Sequence, residues 1–233
     1  MASVREINKK SEKITFNQKL NEFVQRNRKI IFGVFFAIII GLVGFIITHT
    51  VRDRMQINAF TQLDALNLRH EALLPYITGE ETEAFRQAEI NALLEDISAF
   101  AARNSGFAAA RAFSLSADIY WELEKWAEAE RAWAASARAA SRTYLAPISA
   151  FNAAVAAEEQ ENIESAIAFY TQALNYWRIF PAAARAQFSI GRLEESRNNR
   201  EAALEAYRDL LRRWPNDPVW SDLAQSRILV LTN

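Results

Sequence analysis

Residues Ile30 through Ile47 form an unbroken run of eighteen apolar residues. As a helix rising about 1.5 Å per residue it spans about 27 Å, close to the hydrocarbon thickness of a bilayer. An amphipathic core helix would carry a polar stripe, and none interrupts this run. A cleaved signal peptide would have a shorter basic arm, a shorter apolar stretch and a small-residue cleavage site. Here 29 residues precede the run, and Thr48-His49-Thr50-Val51-Arg52 offers no such site. The expectation is a retained transmembrane helix over residues 30–48, in contact with lipid, with a single domain beyond it.

Charge orients the span. The chain as a whole carries a net charge of −1, but residues 1–29 hold eight Lys/Arg against three Glu. The remainder holds 19 Lys/Arg against 25 Asp/Glu. Basic residues at a span stay on the cytoplasmic side, and Arg26, Arg28 and Lys29 sit at the boundary. This predicts a cytoplasmic basic arm (residues 1–29, short and amphipathic or disordered) and a C-terminal domain outside the inner membrane. Arg52 and Arg54 weaken the bias without reversing it. The arm's charge favours anionic lipid. Cysteine is absent, which excludes disulfides, zinc ribbons and thiol nucleophiles. The mildly acidic remainder argues against nucleic acid, which needs a basic face.

Beyond the span the pattern is helical throughout. Val51–Leu74 keeps helical spacing with Phe60, Leu63, Leu66 and Leu73 apolar. Pro75 is expected to end it in a turn around Gly79. A second stretch runs to about Arg103, stopped by Asn104-Ser105-Gly106. From there paired amphipathic segments alternate with short breaks near 122–125, 141–147, 158–162, 179–182, 196–199 and 214–218. Few β-branched runs and only six glycines exclude sheet. Asp217 and Pro218 read as the N-cap and first residue of a last helix, about Val219–Leu231. The fold class is therefore all-α.

Three stretches align without gaps: Trp126–Trp133, Ile163–Tyr170 and Arg200–Tyr207. Alanine recurs at Ala129, Ala166 and Ala203, each 37 residues apart, followed four residues later by Trp133, Tyr170 and Tyr207. Twelve residues before each alanine lies another small residue: Ala117, Ala154 and Gly191. Aromatics make up only 12% of the chain, so their recurrence is the discriminating part. Small residues let two antiparallel helices approach, and the aromatic fills the gap to the next pair. No pair can bury its own apolar face, so pairs must stack.

This grammar resembles the tetratricopeptide-repeat (TPR) family. Helix A would carry Ala117, Ala154 or Gly191, and helix B the alanine–aromatic pair. The 37-residue spacing exceeds the family's usual 34, implying longer connections. The aromatic of helix A is present at Tyr120 but replaced by Ala157 and Glu194. The resemblance implies an α-solenoid with three repeats over 106–218 (about 106–142, 143–179 and 180–216). Residues 49–105 would form a stalk helix and a diverged N-terminal helical unit, and residues 219–233 a capping helix. Basic arm, single span, linking helix and outer TPR array, with the stretch Ala108–Tyr120, together resemble the bacterial ancillary Sec-translocon subunit family. That resemblance implies an inner-membrane protein with a periplasmic domain and protein partners such as translocon subunits or periplasmic chaperones.

Candidate binding residues are Trp121 and Trp177, near helix ends, and Arg178, Arg185 and Arg192, spaced by seven. The arginines could clamp a partner's carboxylates on the concave face. The competing reading is packing for the tryptophans and a solvated face for the arginines. Glu158-Glu159-Gln160-Glu161 and Glu194-Glu195 cannot frame a scissile bond, because neighbours on a helix do not face one another. They read as exposed charge at helix ends. His49 and His70 give no metal-ligand spacing, and the glycines form no phosphate loop. No cofactor, metal or small-molecule substrate is expected, and no enzymatic activity. The expected function is a membrane-anchored scaffold. The alternatives are a self-associating envelope protein and an import receptor whose repeats face the cytosol.

Overall fold

The computed structural model describes residues 2–77, 83–176 and 178–233. Among them lie nine α-helices and no strand. The chain divides into two compact units, Met1–Ile57 and Asn58–Asn233.

The first unit is the N-terminal part of α1 (Ala2–Ile77). The basic arm from Ala2 onward is thus helical. Within it Phe32–Thr50 has a mean hydropathy of 2.4 and none of it is buried. It is long and apolar enough to cross a membrane, as a membrane span or a signal sequence would be. The Thr48 hydroxyl near its end is satisfied inside the helix, donating to Gly44 O at 2.9 Å. The proline expected to stop this helix does so late: α1 continues two residues past Pro75, to Ile77. The turn expected around Gly79 lies outside the described residues.

The second unit opens with the C-terminal part of α1 and α2 (Glu83–Arg103). Ala59, Leu63, Leu73, Ile90, Leu93, Ile97 and Phe100 share a core with Ala112, Leu115 and Ile119 of α3. Arg69 pairs with Asp96 and Glu89, and buried His70 places Nε2 3.0 Å from Glu122 Oε2. These contacts join α1 to α2 and to α3.

Three antiparallel pairs follow: α3 (Gly106–Glu122) with α4 (Trp126–Ala139), α5 (Leu145–Glu159) with α6 (Ile163–Leu174), and α7 (Ala183–Ser196) with α8 (Arg200–Arg213). Each pair turns over three residues, and the middle one of the bonded pattern is left-handed: Glu124 at φ 55°, Glu161 at 57° and Asn198 at 62°. The hydrogen bonds repeat with them. The amides of Lys125, Asn162 and Asn199 donate to the carbonyls of Tyr120, Ala157 and Glu194 at 2.8–2.9 Å. This six-to-one bond closes each A helix as a Schellman motif, here without glycine. Asn162 and Asn199 then cap the B helices through their side chains. The surplus over a 34-residue repeat sits in the connections 140–144 and 175–182, not in the hairpin turns.

A final helix, α9 (Trp220–Thr232), packs on α8. Its start differs by a residue or two from the one expected. Asp217 Oδ1 accepts from the amides of Val219 and Trp220 at 3.0 and 2.8 Å, so the aspartate caps while the helix proper begins at Trp220.

Candidate protein-binding face

The spacing-37 residues lie in the interior. Ala117, Ala129, Trp133, Ala154, Ala166, Tyr170, Gly191, Ala203 and Tyr207 are all buried. Each aromatic wedges into the following A helix. Trp133 packs with Ala153 and Ala156 of α5, Tyr170 with Ala183, Ala186 and Leu193 of α7, and Tyr207 with Ala224 of α9. Gly191 has no room for a side chain, since a Cβ there would lie 2.5–2.8 Å from three ring carbons of Tyr207.

The wedges have polar ends that tie neighbouring A helices together. Tyr170 donates its hydroxyl to Glu158 Oε1 at 2.7 Å, and Arg192 of the next A helix pairs with the same carboxylate. One repeat later Tyr207 donates to Glu195 Oε2 at 3.1 Å, and Arg227 of α9 grips both Glu195 oxygens. The Arg227 guanidinium holds the Glu195 carboxyl below its ordinary range, with the Tyr207 hydroxyl assisting against partial burial. Burial and the adjacent carboxylate push the Tyr207 phenol up to about 12 and raise Tyr170 further. These latches correct the reading of the acidic clusters as exposed charge. Glu158 and Glu195 are half-buried and bonded, and Glu194 is buried against Arg197 and Asn199. Burial became possible because each carboxylate found a cation or a hydroxyl within its own or the next repeat.

The first repeat substitutes aromatics for this latch. Trp121 stands where Glu158 and Glu195 stand, with Trp126 at 4.6 Å and Trp133 at 5.5 Å between ring centroids. Crowding raises the nearby Asp118 carboxyl above its ordinary range against the pull of His70 and Arg111. The buried Trp133 Nε1 closes no hydrogen bond of ordinary geometry among the described residues, although its N–H also acts to lower the Asp118 carboxyl, less than His70 and Arg111 do. At one register position the A helices thus present Asp118, Val155 and Arg192 in turn: an acid, an apolar residue and a base.

Of the sequence candidates, Trp121 is half-buried in this aromatic cluster, and Arg185 and Arg192 are exposed on α7. Arg185 lies 5.1 Å over the ring of Phe151, and Arg192 is engaged with Glu158. Arg178 falls in the connection before α7, so helical periodicity does not place it with the other two. Trp177 lies outside the described residues. Phe188, Arg192, Glu195, Ser196, Tyr207 and Arg227 line a groove of about 440 Å³ on this face. A second groove of about 450 Å³ lies between α6 and α8, lined by Thr171, Glu205, Asp209 and Arg213 among others. Asp209 there is neutralised by Arg212 and Arg213. No group of three or more His, Asp or Glu among the described residues is placed to hold a metal ion. Arg227, and the latch role of Glu158 and Glu195, escaped sequence reasoning. Glu158 and Glu195 do share the 37-residue step of Tyr170 and Tyr207, which was the available signal.

A profile described as tetratricopeptide repeat matches residues 114–178 and 151–218. A "TPR repeat-containing protein" of Treponema pallidum (strain Nichols) is 29% identical over 225 residues, covering 92% of this chain and 93% of the relative. With the paired helices and their wedges, these matches show that residues 114–218 carry tetratricopeptide repeats, all-helical units of the kind that mediates protein–protein interaction.

Proposed function

We propose that this protein is a membrane-anchored, extracytoplasmic scaffold that takes a segment of a protein partner along the A-helix face of its repeats. The observation that carries the proposal is the change of chemistry along that face: Asp118 and Trp121 in the first repeat, Val155 in the second, Arg185 and Arg192 in the third. A graded face distinguishes one orientation of a bound segment from the other. Because Arg192 already pairs with Glu158, a partner's carboxylate must compete for it. Affinity then comes mainly from apolar contact around Val155 and the tryptophans, and charge sets direction.

The Phe32–Thr50 helix, with the basic arm before it, supports retention in the inner membrane with residues 58–233 on the outer side. Tethering concentrates the array beside other membrane components, so weak contacts suffice. Translocon subunits, periplasmic chaperones and emerging secreted chains fit that setting, as the resemblance in architecture implies.

A photoreactive residue placed at Val155 in intact cells tests the reading. It should crosslink envelope or secretory proteins, while the same residue at Glu205 on α8 should not. Equal crosslinking from both positions, or none from Val155 in a folded chain, overturns it.

A further inference from the structure

We propose that the edge of the repeats formed by the inter-repeat connections docks on an anionic lipid surface, a role that rests on the retained span proposed above. In antiparallel pairs joined by short connections, every A helix begins and every B helix ends at one edge, and the hairpin turns lie at the other. The two edges differ in charge. Residues 99–109, 136–146 and 173–183 hold four arginines (Arg103, Arg138, Arg142 and Arg178) and no acidic residue. The hairpin edge, at the matching residues 120–130, 157–167 and 194–204, holds 11 Glu against three Lys/Arg. The last connection is neutral by comparison, because Arg212 and Arg213 pair with Asp209 and are followed by Asp217 and Asp222.

The arginine edge is open to a ligand. Arg103, Arg138 and Arg142 are exposed and form no ion pair among the described residues, unlike Arg192, Arg197 and Arg227. Beside them stand Tyr144 and Ile179, 61% and 64% exposed, whereas the hairpin turns expose no large hydrophobic side chain among the described residues. The residues that lengthen this repeat beyond 34 lie in the same connections, 140–144 and 175–182, and supply Arg142, Tyr144, Arg178 and Ile179. Tyr176 donates its hydroxyl to Ser141 O at 2.6 Å, which holds the two connections side by side. Guanidinium groups drawn to phosphates, with an amphipathic ring and an aliphatic side chain between them, match the headgroup layer of a bilayer.

The path of the chain selects a lipid surface as the occupant. Phe60, the third residue of the second unit, lies 6.2 Å from Phe107, and Phe107 lies 5.8 Å from Tyr144, between ring centroids. The chain therefore enters the repeats at the arginine edge. Thr50 ends the apolar helix and Asn58 opens the second unit, a leash of eight residues. Such a leash reaches at most about 29 Å when fully extended, so the arginine edge stays within reach of the headgroups. Anionic headgroups attract this edge and repel the acidic one, and tethering lets a few weak contacts suffice.

Because the chain has no cysteine, Ser141→Cys on the arginine edge and Glu159→Cys on the hairpin edge can each carry a single fluorophore in the full-length protein. The labelled chains are reconstituted in phosphatidylcholine vesicles, alone or with about one-third phosphatidylglycerol, that contain a headgroup-labelled quenching lipid. With phosphatidylglycerol the probe at position 141 should be quenched several-fold more than the probe at 159, and salt at about 1 M should shrink the difference. Arg138→Gln with Arg142→Gln should lower the docked-to-undocked ratio by about fivefold per arginine, and circular dichroism verifies that the fold persists. Quenching equal at the two positions, indifferent to phosphatidylglycerol or unchanged by the two glutamines would overturn the proposal, as would a probe at 141 that responds only when envelope proteins are added. Flotation after an alkaline wash reports the span separately. A chain lost in the wash overturns the anchor and the docking together, whereas a retained chain with equal quenching overturns the docking alone.

Discussion

Gly191→Ala is a substitution that helix propensity alone would score as an improvement. Replacing an interior helical glycine by alanine returns about 1 kcal/mol. At this position the new Cβ would lie 2.5, 2.7 and 2.8 Å from Tyr207 Cε1, Cδ1 and Cζ. Contacts between carbons are comfortable only near ~3.5–4.0 Å, so the ring must move by about 1 Å. Tyr207 is fully buried, is fixed by its hydrogen bond to Glu195 and packs on Phe188. Overpacking of that kind costs about 1–3 kcal/mol, which leaves a net loss of roughly 0–2 kcal/mol after the propensity gain. At about 2–4 °C per kcal/mol for a domain of this size, the midpoint falls by up to about 8 °C. The decisive arm is the same substitution in a Tyr207→Leu background. With the ring gone, alanine should stabilise by about 0.5–1 kcal/mol relative to glycine, so the sign of the effect reverses. All six tryptophans lie between Trp121 and Trp220, so denaturation followed by tryptophan fluorescence reports on this unit alone. An equal effect of Gly191→Ala in both backgrounds would refute the packing argument.

The hairpin turns and the latches yield further expectations. Glu161 holds φ 57° without being glycine, so Glu161→Gly should raise stability by about 1 kcal/mol, whereas Asn198→Gly, at a residue that tolerates that conformation, should gain less; parallel urea titrations decide. Glu195 has a depressed folded-state pKa, so its contribution is present above the ordinary carboxylate value and lost as pH falls through the lowered one. Glu195→Gln should flatten that acid limb of the stability curve. Tyr207, raised to about 12, behaves oppositely. Its contribution is complete below the ordinary phenol value near ~10 and is lost as pH rises toward the folded value. Tyrosinate absorbance should show Tyr207→Phe removing one late-titrating group, and a titration unchanged by that substitution would contradict the assignment.

What could be read from residues alone was whatever packing imposes locally. Ala117, Ala154 and Gly191 had to be small and Trp133, Tyr170 and Tyr207 large because two helices and a wedge occupy one space, and such volume constraints leave a strict period. The left-handed turn residues Glu124, Glu161 and Asn198 keep the same 37-residue step, but glutamate is not a turn former by type, so residue chemistry did not mark the first two. Backbone bonds from Lys125, Asn162 and Asn199 impose the geometry there. The latches were hidden for another reason. Arg192 and Arg227 lie 34 and 32 residues beyond their carboxylates, so the ion pair keeps no constant step even though Glu158 and Glu195 do. Arg178 misled in the opposite way, since a spacing of seven implies a shared face only where a helix is continuous.

The proposed function requires one mature chain holding both the apolar helix and the repeats, with the repeats outside. Intact mass of the membrane-embedded protein, taken before and after protease is added to cells whose outer envelope has been opened, tests this most directly. The prediction is a full-length chain that resists alkaline extraction and loses residues 58–233 to external protease. A shortened, freely extractable chain beginning beyond Thr50, or repeats protected until the inner membrane is broken, would contradict it.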